Sequence, residues 1–420
     1  MLQETKLIID NGFLSIDDVV KVAKDKNVKV VLSEEVKQKI VQSRAVIEGV
    51  VSGQRVVYGV TTGFGSFKDQ FIGPDKVKEL QLNLIRSHAI GTGDPFSEEV
   101  VRAAILIRAW SLSRGNSGVR LEIINILLAL LNNGVYPYIP AKGSVGSSGD
   151  LAPLSHLTLV MMGEGEVFVD GQRISAQAVL SRYNIQPVVL EAKEGLAMNN
   201  GTSFMSAIAC LNVYNAELIA KSYDLIFSLS LQGLAGTIDA FQERVHALRP
   251  HQGQKDVAAN IVNICEGSPI INNYDKNKRV QDSYSLRCTP QVHGASRDVI
   301  TYARKVVAIE INSITDNPLV FFEDNQVISA GHFHGQPISM VMDMLSIAMC
   351  EFGNISDRRI AKMLDKNNSD GLPAFLIDAD KAGLNNGYMI AQYTTAALVA
   401  ENKVLAHPVC VDSIPTSANQ

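Results

Sequence analysis

Residues 200–240, NGTSFMSAIACLNVYNAELIAKSYDLIFSLSLQGLAGTIDA, run from Asn200 to Ala240 without a proline. A stretch of that length, rich in apolar residues and lacking the residue that breaks helices, predicts one long helix rather than a chain of short elements. Pro290 to Ile314 reads the same way. Gln336 to Leu364 reads as a further long helix, interrupted mainly at Gly353. Helices of this length must each bury an apolar face, so side-by-side packing in a bundle is the predicted core.

Toward the N-terminus the helices are shorter and carry visible start signals. Ser33 precedes EEVKQKIVQSRAVIEGVV, in which Val36, Ile40, Ile47 and Val51 recur at near-helical spacing and Glu34 and Glu35 occupy the first turn. Ser97 likewise precedes EEVVRAAILIRAWSL, and Leu121 to Leu131 (LEIINILLALL) is apolar almost all round, as in a helix buried on most sides. Strand signals are brief: Arg55 to Val60 (RVVYGV), a hairpin VFVDGQRI about Asp170 and Gly171, and LVFFEDNQVIS about Asp324 and Asn325. The expected fold is mainly α, a long central helix bundle with a loop-rich N-terminal domain and small peripheral β hairpins. A soft boundary near Gly195 divides it into residues 1–195 and 196–420.

The 420 residues are 46% hydrophobic and 19% charged, which excludes a disordered, collagenous or mucin-like chain. Thirty-eight Lys and Arg against 43 Asp and Glu give a net charge of −5, and no basic run interrupts that balance. Neither a nucleic-acid partner nor a membrane surface is expected. Five cysteines, an odd count with no C-x-x-C pair, argue against a disulfide framework or a zinc ribbon and for a reducing compartment. The opening MLQETKLIID lacks the plan of a signal peptide, and no uncharged, continuously apolar run reaches the roughly 20 residues of a membrane span, so a cytoplasmic protein is expected.

The segment richest in chemistry is Ala141 to His156, AKGSVGSSGDLAPLSH. A Gly/Ser loop before a helix is either a turn with a capping aspartate or a cradle of backbone N–H groups for an anion. It is not a P-loop, since no lysine follows the last glycine. Three more glycine-rich segments place aromatic or amide side chains beside backbone that permits close approach: Tyr58 to Gly65 (YGVTTGFG), Gly195 to Gly201 and Gly331 to Gly335 (GHFHG). His332 and His334 make an H-x-H, but no third ligand stands at a helical spacing from them, so no metal is expected.

Taken with QDSYSLRCTPQ (Gln281 to Gln291), NSITDNPL (Asn312 to Leu319), AGLNNGYMIAQYTTAALVAENK (Ala382 to Lys403) and VDSIPTSANQ (Val411 to Gln420), these loops resemble the aromatic amino acid ammonia-lyase family, and most closely its histidine-deaminating branch. The resemblance covers the chain from about Tyr58 onward. It implies that an internal tripeptide, usually Ala-Ser-Gly and here Ser147-Ser148-Gly149, cyclises with loss of two waters to a methylidene-imidazolone (MIO), with no external cofactor. The Gly149 amide attacks the Ser147 carbonyl, and Ser148 loses its hydroxyl to become the methylidene. Ser147 departs from the usual alanine, but its side chain is only a ring substituent, so cyclisation should survive.

The family pattern further implies that Asp150 and Phe333 assist ring formation, and that Asn200, Gln281 and Tyr284 hold or polarise ring and substrate. Tyr58 matches the base that removes the poorly acidic β-hydrogen. A tyrosine with an ordinary pKa near ~10 serves only where nearby dipoles favour its phenolate. Arg287 matches the clamp on the substrate carboxylate, suited to a planar bidentate fork. His88, in IRSHAIG, matches the position that contacts the substrate ring, and Gln420 counts among the substrate-binding positions. Relatives continue beyond Gln420 with a glutamate and a further helical region, whose absence should expose apolar surface. The implied reaction converts L-histidine to urocanate and ammonia in a homotetramer whose active sites draw loops from several subunits. The alternatives are a tyrosine ammonia-lyase and a non-catalytic scaffold whose tripeptide never cyclises.

Overall fold

The computed structural model of the chain describes residues 5–272, 280–413 and 416. The described residues form two compact units: those within 1–212, 305–339 and 412–420 make the first, and those within 213–304 and 340–411 the second.

The first unit opens with a parallel pair, β1 (Lys6–Ile9) and β2 (Lys29–Leu32), joined through α1 (Ile16–Lys24). Ser15 and Asp18 cap α1 reciprocally as a capping box. There follow α2 (Glu34–Ser52), α3 (Val77–His88), β3 (Thr92–Pro95), α4 (Glu98–Leu112), α5 (Leu121–Asn132), β4 (Tyr136–Pro137), β5 (Pro140–Lys142) and α6 (Leu151–Met161). Then come β6 (Glu166–Val169), β7 (Gln172–Ser175), α7 (Ala176–Arg182) and α8 (Glu194–Asn199). Ser33 and Ser97 accept the backbone N–H of Val36 and Val100, so both predicted caps start their helices where expected. From Val101 to Leu112 every residue of α4 is buried, and Val46, Ile47, Val50, Val60, Val77 and Val320 form a neighbouring cluster of the core.

Three helices are long: α9 (Ser203–Gly233), α14 (Thr289–Glu310) and α15 (Gln336–Leu364). The second unit also holds α10 (Glu243–Ala247), α11 (Gln252–Ile264), α12 (Pro269–Asn272), α13 (Tyr284–Arg287) and α16 (Met389–Leu405), around a core that includes Phe227, Leu231, Phe241, Val257, Ile261 and Leu286. By length and composition alone α9 and α15 would suffice to cross a membrane. Within the second unit, however, α9 pairs Glu217 with Arg304 and Asp224 with Arg297 and His293, as a helix of a protein interior does.

The mainly α architecture with small peripheral sheets is as expected. The hairpin β6–β7 turns through Asp170 and Gly171, both at positive φ, as a two-residue hairpin loop requires. Leu319–Phe321 and Gln326–Ile328 pair as β8 and β9. Two expectations fail. Arg55 to Val60 is a turn, not a strand, because nearby side chains and backbone take up its hydrogen-bonding groups. The Thr61 hydroxyl accepts from Val57 N and donates to Arg55 O, the Thr62 hydroxyl accepts from Gly59 N, and Val57 O accepts from Val60 and Thr61. Nor does Gly353 interrupt α15. A Cβ there would meet Asn402 and Val399 of α16 at ordinary contact distance, so the glycine marks the approach of a second helix.

Candidate active site

The Gly/Ser loop runs from β5 to α6, and Asp150 at its end reaches the start of α9. Its Oδ2 accepts the backbone N–H groups of Phe204 and Met205, both at 2.9 Å, and its Oδ1 accepts the Ser144 hydroxyl at 3.3 Å. The first N–H groups of a helix lack intrahelical partners, so a buried carboxylate here satisfies two of them. Burial pushes the Asp150 carboxyl up to about 6, against the pull of those two amides, Ser144 and the Arg108 charge. Of the two readings of the loop, the capping aspartate is thus present, on a distant helix rather than on α6.

Gly149 sits at φ +74°, and a Cβ there would lie 2.2 Å from the Gly201 oxygen, so glycine alone fits. The Asp150 N–H donates to that same Gly201 oxygen at 2.7 Å, and the Gly149 N–H to the Gly146 carbonyl at 3.3 Å. Asn200, ending α8, donates from Nδ2 to the Ser148 carbonyl at 2.8 Å, while its buried Oδ1 has no hydrogen-bond partner among the described residues. Ser147 and Ser148 are half-buried. Phe333 is half-buried in the Gly331–Gly335 loop, whose last N–H donates to the Gly146 carbonyl at 2.9 Å. The first unit therefore brings Ser148, Gly149, Asp150 and Asn200 into one hydrogen-bonded frame with the Phe333 loop tied to it.

Tyr58 and His88 lie on other elements of this unit and make no hydrogen bond to the tripeptide among the described residues. Tyr58 is half-buried in a turn whose Gly59, at φ +68°, would place a Cβ 2.5 Å from Leu196 of α8. His88 ends α3, its Nδ1 2.8 Å from the Leu84 carbonyl and 3.0 Å from the Ser87 hydroxyl. Just beyond it, β3 pairs with β5, and the Gly91 N–H donates to His156 Nε2 at 3.0 Å. The segment after His88 is thereby anchored to the strand that leads into the loop.

Gln281, Tyr284 and Arg287 belong to the second unit. Gln281 and Tyr284 are exposed, the Arg287 guanidinium lies 4.5 Å from the Tyr284 ring centroid, and its Nε donates to the Asp282 carbonyl at 3.0 Å. Gln420 lies outside the described residues.

Two of the buried cations that the sequence does not disclose adjoin the helix carrying Asn200. Arg108 of α4 donates to the carbonyls of Ala197 and Asn200. Lys193, at φ +74° immediately before α8, donates to Asp316 at 2.5 Å, both side chains being fully buried, and Asp316 also accepts the Ser117 hydroxyl. The only local sign of Arg108 is a single charge inside the apolar run AAILIRAW.

Residues 14–420 match the family model for aromatic amino acid lyases. The chain is 53% identical to a histidine ammonia-lyase of Caldanaerobacter subterraneus subsp. tengcongensis over 99% of its own length and 81% of that protein's. The crystal structure of histidine ammonia-lyase from Trypanosoma cruzi matches with a TM-score of 0.88 at 41% identity, covering 99% of this chain and 78% of that one. A phenylalanine aminomutase of Pantoea agglomerans matches with a TM-score of 0.94 at 36% identity, covering 99% and 83%. The chain belongs to the aromatic amino acid lyase family.

Proposed function

We propose that the chain is a histidine ammonia-lyase, which removes ammonia from L-histidine to give trans-urocanate, the first step of histidine degradation. The observation that carries this reading is 53% identity to a histidine ammonia-lyase along 99% of the chain.

The residues present fit an MIO built from Ser147, Ser148 and Gly149: the third position has no room for a Cβ, and Asn200 Nδ2 already holds the Ser148 carbonyl. That group, when formed, supplies the electrophile which makes the substrate's amino group a better leaving group. Asp150, poised near neutrality, exchanges protons during ring closure, and Phe333, on the loop whose Gly335 N–H binds the Gly146 carbonyl, assists it. Tyr58 takes the β-hydrogen as base. Arg287 clamps the substrate carboxylate, His88 faces the imidazole, and Gln281, Tyr284 and the Asn200 amide, whose Oδ1 has no partner among the described residues, orient the substrate.

A homotetramer in the cytoplasm completes the proposal. In support, α16 has no buried residue within the chain, and α9 leaves Leu218, Leu225 and Leu229 exposed, apolar surface of the kind that subunit contacts cover.

Ultraviolet assays with histidine and tyrosine side by side test the reaction, since each product is a conjugated acrylate. Histidine should be the faster substrate, with free ammonia released mole for mole. Mass spectrometry of the peptide containing residues 147–149 should show a deficit of two waters. An unmodified tripeptide together with no urocanate would overturn the proposal.

A further inference from the structure

Arg108 is wholly buried in α4. Taking a guanidinium out of water is costly, and an aliphatic side chain of similar length would fill the space without that cost. What the guanidinium adds is visible in its contacts. Its Nη2 donates to the carbonyl of Ala197, in the last turn of α8, and at 2.7 Å to that of Asn200, which ends the helix. These are carbonyls that a helix C-terminus leaves unsatisfied, here in a place with no access to water. Its Nη1 lies against Gly201, where a Cβ would come within 2.7 Å of it and equally within 2.7 Å of the Thr315 carbonyl. The backbone at 200–201 is held between the two.

Both of those residues touch the segment that holds the tripeptide. Asn200 holds the Ser148 carbonyl through its side chain, and Gly201 takes the Asp150 N–H and leaves no room for a Cβ on Gly149. No carboxylate is hydrogen-bonded to Arg108 among the described residues. Its charge is balanced through space by Asp316 and Asp150. Burial lowers the guanidinium to about 10, which leaves it a cation at neutral pH.

We infer that Arg108 is a positioning residue for the reaction: by binding the carbonyls of Ala197 and Asn200 it sets how the Asn200 amide and Gly201 meet the Ser147–Gly149 segment. The reaction in question is the lyase reading above, on which this inference rests, whereas the clamp itself rests on the contacts just described.

The test compares full-length wild type with Arg108→Met, Arg108→Lys, Asn200→Ala and the double variant Arg108→Met/Asn200→Ala. Hydrogen exchange of the backbone over residues 196–205 reads the clamp without any turnover. Arg108→Met should speed it roughly 10- to 100-fold, the loss expected for charge-assisted bonds, while α2 keeps its protection. Turnover of histidine should fall by a similar factor, with KM moving less than about threefold. Arg108→Lys keeps the charge and one donor and should recover part of both effects, which also covers a methionine variant that fails to fold. In the Asn200→Ala background the Arg108→Met loss of turnover should vanish. Unchanged exchange at 196–205, or losses at 108 and 200 that simply multiply, would overturn the inference. A wild type that leaves histidine intact would instead count against the lyase reading, and the exchange comparison would still decide the clamp.

Discussion

Replacing Asp150 by asparagine separates the aspartate's hydrogen bonding from its charge. The asparagine oxygen can accept the Phe204 and Met205 N–H groups as the carboxylate does, and its NH2 then faces the Ser144 hydroxyl, which accepts as readily as it donates. Ionisation is what disappears. Burial holds the wild-type carboxyl at about 6 against an ordinary 3.8, so between those values the folded chain keeps a proton that the unfolded chain has lost. The stability contributed by this group is fully present below the unfolded value and is lost as pH rises toward the folded one. Two units at about 1.36 kcal/mol each give about 3 kcal/mol across that window. Asp150→Asn has no such slope. The unfolding free energy of the variant, relative to wild type, should therefore rise by about 2.5 kcal/mol between pH 4 and pH 7, where most of that window lies. Urea unfolding of both proteins at a series of pH values reads this directly, because the other titrating groups cancel in the difference. A difference that stays flat would refute the argument that burial sets the Asp150 pKa. An amide cannot shuttle a proton, so the variant should also show a smaller fraction of protein with the two-water deficit at residues 147–149.

Tyr58→Phe should keep the fold and the mass deficit and lose at least about a hundredfold in turnover, measured with histidine, if the phenol is the base. Arg287→Lys exchanges a bidentate fork for a point charge and should raise KM about tenfold or more in the same assay. Gly201→Ala would set a Cβ 2.7 Å from both the Arg108 guanidinium and the Thr315 carbonyl, at φ +132°. The cost should be about 3 kcal/mol or more, seen as a lowered melting temperature and a lower soluble yield. Lys193→Met takes the ammonium from the buried Asp316 carboxylate, leaving it the Ser117 hydroxyl as donor among the described residues and the Arg108 charge through space, and should destabilise by about 3–5 kcal/mol in urea.

The residues of the candidate site and the residues that hold it differ in how far the sequence discloses them. Ser33, Ser97 and the Asp170-Gly171 turn act on atoms a few positions away, so their neighbours suffice to read them. Arg55 to Val60 misled for the same reason: β-branched residues signal a strand, but hydroxyls at Thr61 and Thr62 supply a competing set of local bonds. Ser147, Ser148, Gly149, Asp150 and Asn200 stand out as serine, glycine, carboxylate and amide between helices. Arg108 has no local partner at all, since the carbonyls it binds lie 89 and 92 positions along the chain.

Even so, one physical rule reaches it. A helix buried on every side cannot hydrate a charge, so any arginine within it must have met polar groups in the interior. Along α4 the rule selects Arg102 and Arg108, both buried, and they prove to do the same thing. Arg102 donates to the carbonyls of Val22 and Asp25, where α1 ends, and to the Tyr136 hydroxyl; Arg108 donates to those of Ala197 and Asn200, where α8 ends. In each case the acceptors are the residue that closes the helix and the one three before it. That repetition ties both arginines to one requirement, that the carbonyls a short helix leaves unsatisfied at its end find donors: Arg102 supplies them at a half-buried helix end and Arg108 at a buried one. It also explains why only Arg108 bears on the chemistry: the helix it closes is the one that delivers Asn200 to the Ser148 carbonyl.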